Sequence, residues 1–220
     1  MKQVMDRGGD MEFRFDPQSY SGLDRLGRIA LSKTFHMREF LYSEIAVHYK
    51  IRNVPTNVGV AVQAGSRLCQ NLLEPLQDAF GRIHVRSGYR SREVNRAGVE
   101  KHGCAIDNDG FHTWDFPTSS GRGIGAVACI SIPFVSEKVL KKEANDMAIA
   151  WWILDHLADW SCLEFFATSP HGDELTFNIG WHERPMQTIN SWRGGPRNLG
   201  KSIPAADERK RQWQALVQNK

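Results

Sequence analysis

The sequence predicts an α+β fold, in which helices and short strands share one core. Between Leu68 and Phe80, four apolar residues recur at every fourth position, which predicts an amphipathic helix from about 60 to 80. From 175 to 182, apolar and polar side chains alternate, which predicts a strand with its aromatic residues in the core and His182 on a polar face. The helical and the strand period thus occur in separate segments of the chain.

Turn residues divide the rest of the chain into further short elements. Pro55 and Asn57 separate two helices, and Gly81 ends the second of them. The predicted helices are 37–49, 60–80, 145–158 and 204–218, and the predicted strands are 83–87, 125–133, 163–167 and 175–182. Residues 94–123 are rich in Gly, Asp and Asn and show little periodicity, so we expect a long irregular loop that carries the functional site.

The length of the chain favours one folded domain with an extension at each end. Its 220 residues are enough for one well-buried core. We expect a flexible leader at 1–30, the folded domain at 31–190, and a basic tail at 191–220 that ends in an exposed helix.

Charge and cysteine content exclude several functional classes. Lys and Arg number 28 against 25 Asp and Glu, and this net charge of +3 is too mild to indicate nucleic acid or a membrane surface as a partner. The four cysteines form no Cys-x-x-Cys pair, so neither a disulfide framework nor a cysteine-rich zinc finger is expected. We find no signal-peptide-like segment and no run of ~18 uncharged apolar residues, which favours a soluble cytoplasmic protein.

Two motifs in a fixed order give the chain a resemblance to a known family. Residues 68–76 read Leu-Cys-Gln-Asn-Leu-Leu-Glu-Pro-Leu, and residues 85–91 read Val-Arg-Ser-Gly-Tyr-Arg-Ser, followed by Asn95. They resemble the Leu-Glu-Pro-Leu helix and the Ser-Gly-Tyr-Arg-Ser strand end of the zinc D-alanyl-D-alanine peptidases, a family of carboxypeptidases and phage endolysins. Phe40, within Arg-Glu-Phe, is similar to the amino-terminal motif of the phage-type members. The likeness extends over about 35–183.

The resemblance implies a fold and an activity. The fold would be the Hedgehog-like D,D-peptidase fold, a small, mostly antiparallel sheet packed with helices. The activity would be that of a zinc-dependent peptidase or amidase on peptidoglycan-type peptides. Arg90 would steady negative charge in the active site, and Ser87, Tyr89 and Ser91 would contact the substrate. The alternative for Arg90 is a structural one, in which it braces the loop through carbonyl groups or Asp107.

The metal ligands of the family match this chain only in part. The family binds zinc through a His and an Asp in Ser-x-His-x-x-Gly-x-Ala-x-Asp and through a second His after a later strand. In the best alignment, Cys129 stands at the aspartate and Arg122 at the first histidine. His112 is the substitute if the intervening loop is an insertion, and His182 matches the last ligand.

A set of His112, His182 and either Cys129 or Asp115 has the ligand types of a tetrahedral zinc site with one open position. The alternatives stay open at this stage. For Cys129 the alternative is a buried inert thiol, the commonest fate of a lone cysteine in a strand, and for His112 it is a loop histidine bonded to Asp115.

The general base of the family is also not matched. Ile179 stands where the family has its catalytic Glu, three residues before the last histidine. Asp115, Glu164 and Glu183 are the carboxylates that are close in sequence or strand order, and none is selected by spacing.

Two other functions are therefore alternatives to the zinc peptidase. One is a catalytically inactive binding or structural module with the same fold, for example a component of a phage particle or of a protein complex. The other is nucleic-acid binding by the basic tail, through Arg184, Arg193, Arg197, Lys201, Arg209, Lys210 and Arg211, with Trp192 and Trp213 between them. A solvated tail explains the same residues, and nucleic acid is not expected as a partner.

Overall fold

The computed structural model describes residues 15–106, 111–118, 121, 123–166, 174–193, 197–199 and 203–218. In this part of the chain the helices are α1 (Tyr20–Gly27), α2 (Glu44–Tyr49), α3 (Val58–Leu68), α4 (Glu74–Phe80), α5 (Arg92–His102), α6 (Pro133–Leu140), α7 (Ala148–His156) and α8 (Ala206–Val217). The strands are β1 (His84–Ser87), β2 (Gly125–Ser131), β3 (Trp160–Phe165), β4 (Thr176–His182), β5 (Thr188–Ser191) and β6 (Arg197–Asn198). These elements confirm the predicted α+β class.

The strands form one sheet in the order β1-β2-β4-β3-β5-β6. All neighbouring pairs are antiparallel except β3 and β5, so the sheet is mostly antiparallel, as predicted. The two longest strands, β2 and β4, pair over their full lengths, from Gly125 opposite His182 to Ser131 opposite Thr176. This long register fixes which side chains share a face.

One face of the sheet packs against the helices and forms the core. The residues fully buried there include Phe177 and Ile179 on β4, Ala126 and Ala128 on β2, and Leu72 between α3 and α4. The alternation predicted for 175–182 is confirmed, because Phe177 and Ile179 point into this core and His182 lies on the other face. We call the side that packs against α3 the helix-packed face and the other side the open face, on which Val127, Asn178 and His182 are nevertheless buried.

The predicted helix 60–80 is present, but it contains a wider turn. Between α3 and α4, residues Cys69–Leu73 form a π-helical turn in which the Glu74 N–H donates to the Cys69 carbonyl oxygen. The cause is Pro75, which has no N–H to donate and whose ring clashes with the carbonyl group one turn back. Glu74 itself accepts hydrogen bonds from Ser32 and Thr34, so the Leu-Glu-Pro-Leu motif anchors the preceding chain to this helix.

Two predicted boundaries differ from the structure near the amino terminus. The segment predicted as a helix at 37–49 is split into a 3-10 turn at Met37–Phe40 and α2, because extended Ser43 caps α2 through its side chain. The expected leader at 1–30 includes α1, whose Leu26 is fully buried, while residues 1–14 lie outside the described part.

The expected irregular loop at 94–123 begins instead with a helix. Ser91 caps α5 by accepting from the Val94 N–H, and buried Val94, Asn95 and Gly98 give the helix its inner side. The sequence contains a helix-start signal in Ser91, three residues before Val94. The loop prediction followed instead from the many Gly, Asp and Asn residues later in the segment. α6, β5 and β6 were likewise not predicted.

The carboxyl-terminal helix was predicted, but it packs against α7 rather than standing in solvent. Trp151 Nε1 on α7 donates to Gln212 Oε1 on α8 at 2.9 Å, and Trp213 Nε1 on α8 donates to Asp155 Oδ2 at 2.9 Å. Arg209 pairs with the same Asp155. Because Arg209 and Trp213 are used in this contact, the described part of the tail does not present them as a nucleic-acid surface; Lys201 lies outside the described residues.

None of the helices in the described parts of the chain is long and apolar enough to cross a membrane.

Candidate functional site

The Ser-Gly-Tyr-Arg-Ser motif lies where β1 turns into α5, and most of it is structural. A Cβ on Gly88 would come 2.8 Å from Phe40 Cδ1, so only glycine lets the Arg-Glu-Phe segment pack against the motif. Tyr89 is fully buried and donates to Asp115 Oδ1 at 3.1 Å. Ser91 caps α5 and donates to the Arg52 carbonyl oxygen. Of the three residues predicted to contact a substrate, Tyr89 and Ser91 are therefore engaged within the fold, and half-buried Ser87 lies on the open face.

Asp115 accepts several hydrogen bonds from other parts of the fold. Its Oδ2 accepts from the Thr56 N–H at 2.7 Å and the Asn57 N–H at 3.0 Å, and its Oδ1 accepts from Tyr89. Burial raises the pKa of Asp115, and these hydrogen bonds oppose that rise. A carboxylate that joins the start of α3 to the motif has a structural task, so we do not assign it a role as base or metal ligand.

Glu183 has a similar structural use. Its Oε2 accepts from the Ile124 N–H at 2.9 Å, and its own N–H donates to the Ile124 carbonyl oxygen at 3.1 Å. A Cβ on Gly123, which has a φ of 111°, would lie 2.3 Å from the Glu183 carboxylate. The side chain thus fixes the backbone of residue Ile124 directly before β2 begins. We therefore do not assign Glu183 as a base either.

Arg90 has an incompletely satisfied guanidinium group. Its backbone N–H donates to the His112 carbonyl oxygen at 2.8 Å, and its Nη1 donates to the Cys104 sulfur at 3.3 Å. Its Nε is buried and finds no hydrogen-bond partner among the described residues, while Asp107 lies outside them. Because a guanidinium has five donors and sulfur is a weak acceptor, Arg90 retains donors for an oxygen acceptor from a ligand.

His112 is buried beside the motif with a defined ring orientation. Its Nδ1 lies 2.8 Å from the Gly88 carbonyl oxygen, which can only accept, so Nδ1 carries the proton of the neutral ring. Burial and the charge of Arg90 lower the pKa of His112 to about 3, against a smaller opposing effect of the Gly88 carbonyl. His112 is therefore neutral at physiological pH.

His182 is buried at the end of β4 on the open face. Its Nδ1 lies 2.9 Å from the Arg184 nitrogen, whose N–H donates to it, and 3.1 Å from the Arg184 carbonyl oxygen, so Nδ1 has a partner in either tautomer of the ring. Its Nε2 is buried with no hydrogen-bond partner among the described residues. Nε2 is the ring atom left for a ligand.

The open face also has a line of polar side chains that crosses five strands. Cys129 lies opposite Ser87 on one side and Asn178 on the other, Glu164 lies opposite Asn178, and Asn190 lies beside Glu164. We call these five residues the polar row. Adjacent members are one strand apart, ~4.8 Å, and Asn178 Nδ2 donates to Glu164 Oε2 at 2.8 Å.

Charged groups of both signs lie near the thiol of Cys129. Burial raises its pKa to about 11, which Arg86 and Arg90 counteract and which Glu44 and Glu164 reinforce. The thiol is therefore protonated at neutral pH, which disfavours a role as a nucleophile. The Arg90 cation is near enough to Cys129 to lower its pKa.

The predicted zinc ligands do not fit a zinc site in this fold. Cys129 lies opposite Asn178, four residues from His182 along β4, a separation of ~13 Å along the strand, whereas tetrahedral zinc needs its donors roughly 3–4 Å apart. The β2 positions opposite and diagonal to His182 hold Gly125 and Val127, which have no metal-binding groups. Arg122, aligned with the first histidine, lies outside the described residues.

The side-chain positions also do not form a metal site. In the described ranges, no three His, Cys, Asp or Glu side chains lie together in a way that would hold a metal ion. His112 and His182 each have a suitable ring orientation, but a three-ligand set with either Cys129 or Asp115 is not assembled.

The sequence did not indicate Asn178, Asn190 or Phe111 as residues of this face. A signal for Asn178 existed, because alternation along β4 places it on the face of His182, two positions from Gly180. Phe111 had no sequence signal, because its position depends on a left-handed backbone with a φ of 55°. Its ring packs on the open face with Val127 and Cys162.

No protein-family model, curated protein or solved structure matches the chain.

Proposed function

We propose that the protein is a binding module with the Hedgehog-like D,D-peptidase fold that holds a peptide on the open face of its sheet and does not hydrolyse it. The fold assignment is supported by the packing of the family-like motifs against each other, since Phe40 contacts Gly88 and Tyr89 bonds to Asp115. On this account the module is a component of a protein complex or phage particle, acts in the cytoplasm and binds no nucleic acid.

The observation that carries the proposal is the fate of the catalytic positions. Ile179, in place of the catalytic Glu, is fully buried on the helix-packed face, and Asp115 and Glu183 are tied into the fold. With Cys129 ~13 Å along the sheet from His182, the residues that would activate water are neither complete nor together. On this proposal the chain keeps the fold of the family without the family's catalytic groups.

The open face nevertheless retains groups that bind a peptide. Arg90 Nε has no hydrogen-bond partner among the described residues, and we assign it to a carbonyl or carboxylate oxygen of the peptide. Half-buried Glu164 and Asn190 of the polar row are the partners for peptide N–H and C=O groups, and buried Asn178 holds Glu164 in place. A guanidinium that is held in place from one side binds such an oxygen with little loss of entropy.

The test measures binding and hydrolysis on the same sample. We expect a synthetic peptidoglycan peptide ending in D-Ala-D-Ala to bind the wild-type protein in calorimetry without release of D-alanine. Arg90→Ala is expected to weaken binding about tenfold through loss of a charge-assisted contact. Arg86→Ala, the matched control, removes an exposed arginine already paired with Glu174 and is expected to change the affinity less than about twofold. No binding by the wild type, or equal effects of the two variants, would refute the proposal.

One observation favours zinc-dependent hydrolysis as a second candidate. The Nδ1 of His112 is fixed by the Gly88 carbonyl oxygen, the arrangement by which metal-binding histidines are commonly oriented, and its low pKa keeps Nε2 unprotonated. Release of D-alanine that is lost in both His112→Ala and His182→Ala would establish this candidate instead.

A further inference from the structure

The surface around His182 is shaped by two glycines on the open face. A Cβ on Gly125 would lie 2.7 Å from His182 Cδ2 and 3.0 Å from Phe111 Cγ. A Cβ on Gly180 would lie 2.6 Å from the Cys162 sulfur and 3.6 Å from Phe111 Cδ2. The two glycines thus leave a hollow in the sheet surface, beside the imidazole.

The ring of Phe111 fills this hollow. It is 2% exposed, packs with Val127 and Cys162, and has its centroid 4.8 Å from that of the His182 ring. Phe111 belongs to the long connection between α5 and β2, so it reaches this position from outside the sheet.

Two features oppose this packing. Phe111 has a φ of 55°, a left-handed backbone conformation that bulky residues seldom adopt. The ring also covers His182, which is 2% exposed and whose Nε2 has no hydrogen-bond partner among the described residues. Burial of the aromatic ring is therefore offset by backbone strain and by an unsatisfied ring nitrogen, a combination found at switches and ligand sites.

We propose that the Phe111 ring occupies a ligand site at His182 and blocks it. The ring closes the hollow, and a polar group of a peptide ligand, N–H or C=O, hydrogen-bonds to Nε2 only when the ring is displaced. The site is thus autoinhibited, and a ligand that binds there shifts the protein from the ring-in to the ring-out form. The inference rests on the proposed function only for the class of ligand.

The test measures access to His182 without peptide or metal, so its outcome is separate from that of the proposed function. Folded wild type, Phe111→Ala and the control Phe116→Ala are treated with diethyl pyrocarbonate, and modification of each histidine is followed by mass spectrometry. Phe116 is a half-buried aromatic of the same connection that lies under Arg92. Exposed His48 gives the reference rate.

We expect His182 to react at least about tenfold more slowly than His48 in the wild type, because the reagent reaches only the ring-out form. Phe111→Ala is expected to raise the His182 rate at least about tenfold, and Phe116→Ala to leave it unchanged. If Phe111→Ala does not fold, Phe111→Leu, which keeps part of the volume, replaces it. A His182 rate equal to that of His48 in the wild type, or one unaffected by shortening Phe111, would overturn the inference.

Discussion

Replacing Asp115 with alanine is expected to lower the free energy of unfolding by about 3–5 kcal/mol, because three donors lose their acceptor. The Thr56 and Asn57 N–H groups and the Tyr89 hydroxyl all donate to this carboxylate. The buried Tyr89 hydroxyl costs about 1–3 kcal/mol when it is left without a partner, and the N–H groups of Thr56 and Asn57, two exposed residues, each lose a bond worth about 0.5–1.5 kcal/mol. Chemical denaturation of the wild type and of Asp115→Ala measures the difference.

Asp115→Asn separates structure from catalysis. It retains one carbonyl oxygen as an acceptor, so we expect a loss of about half that of Asp115→Ala. A change in stability below about 1 kcal/mol for Asp115→Ala would contradict the structural role and return this carboxylate to the candidate bases.

Acidification from pH 8 to pH 4 is expected to remove about 3 kcal/mol of stability through His112 alone, given its shift from an ordinary pKa of 6.5 to about 3. The folded protein binds this proton less readily than the unfolded chain, so stability is complete above pH 6.5 and falls as the pH drops toward 3. The causes are burial of the imidazole, first, and the nearby Arg90 cation.

The variant His112→Gln isolates this contribution. Its amide can still donate to the Gly88 carbonyl oxygen, but it does not titrate. The free energy of unfolding is measured for both proteins at pH 8, 6, 5 and 4. Between pH 8 and pH 4 the wild type is expected to lose about 3 kcal/mol more than the variant. His48→Gln, at an exposed position, is the control and should follow the wild type. Parallel curves for wild type and His112→Gln would contradict the buried neutral state of His112.

The sequence predicted those elements whose period is set by the core. The helix from 60 to 80 and the strand ending at His182 bury one side, and a regular apolar pattern follows from that burial. α5 was missed because it is only partly buried, so polar residues obscure its period. β5 and β6 are too short to show alternation.

The site was less predictable because it depends on register and long-range contacts. Cys129 and His182 share a face of the sheet, but the pairing of β2 with β4 sets them four residues apart, which the sequence does not show. The partners of Asp115 come from 58 and 59 residues earlier in the chain, a contact that no local pattern reveals. Phe111 covers His182 through a backbone conformation that its residue type does not favour.

The most direct test of the account is the zinc content of the protein, purified without chelator, incubated with Zn²⁺ and passed through a desalting column. Because the described residues do not assemble three ligands, we expect less than about 0.1 zinc per chain by elemental analysis, with no difference between wild type, His112→Ala and His182→Ala. About one zinc per chain in the wild type, lost in both variants, would contradict the account and establish a metal centre on the open face.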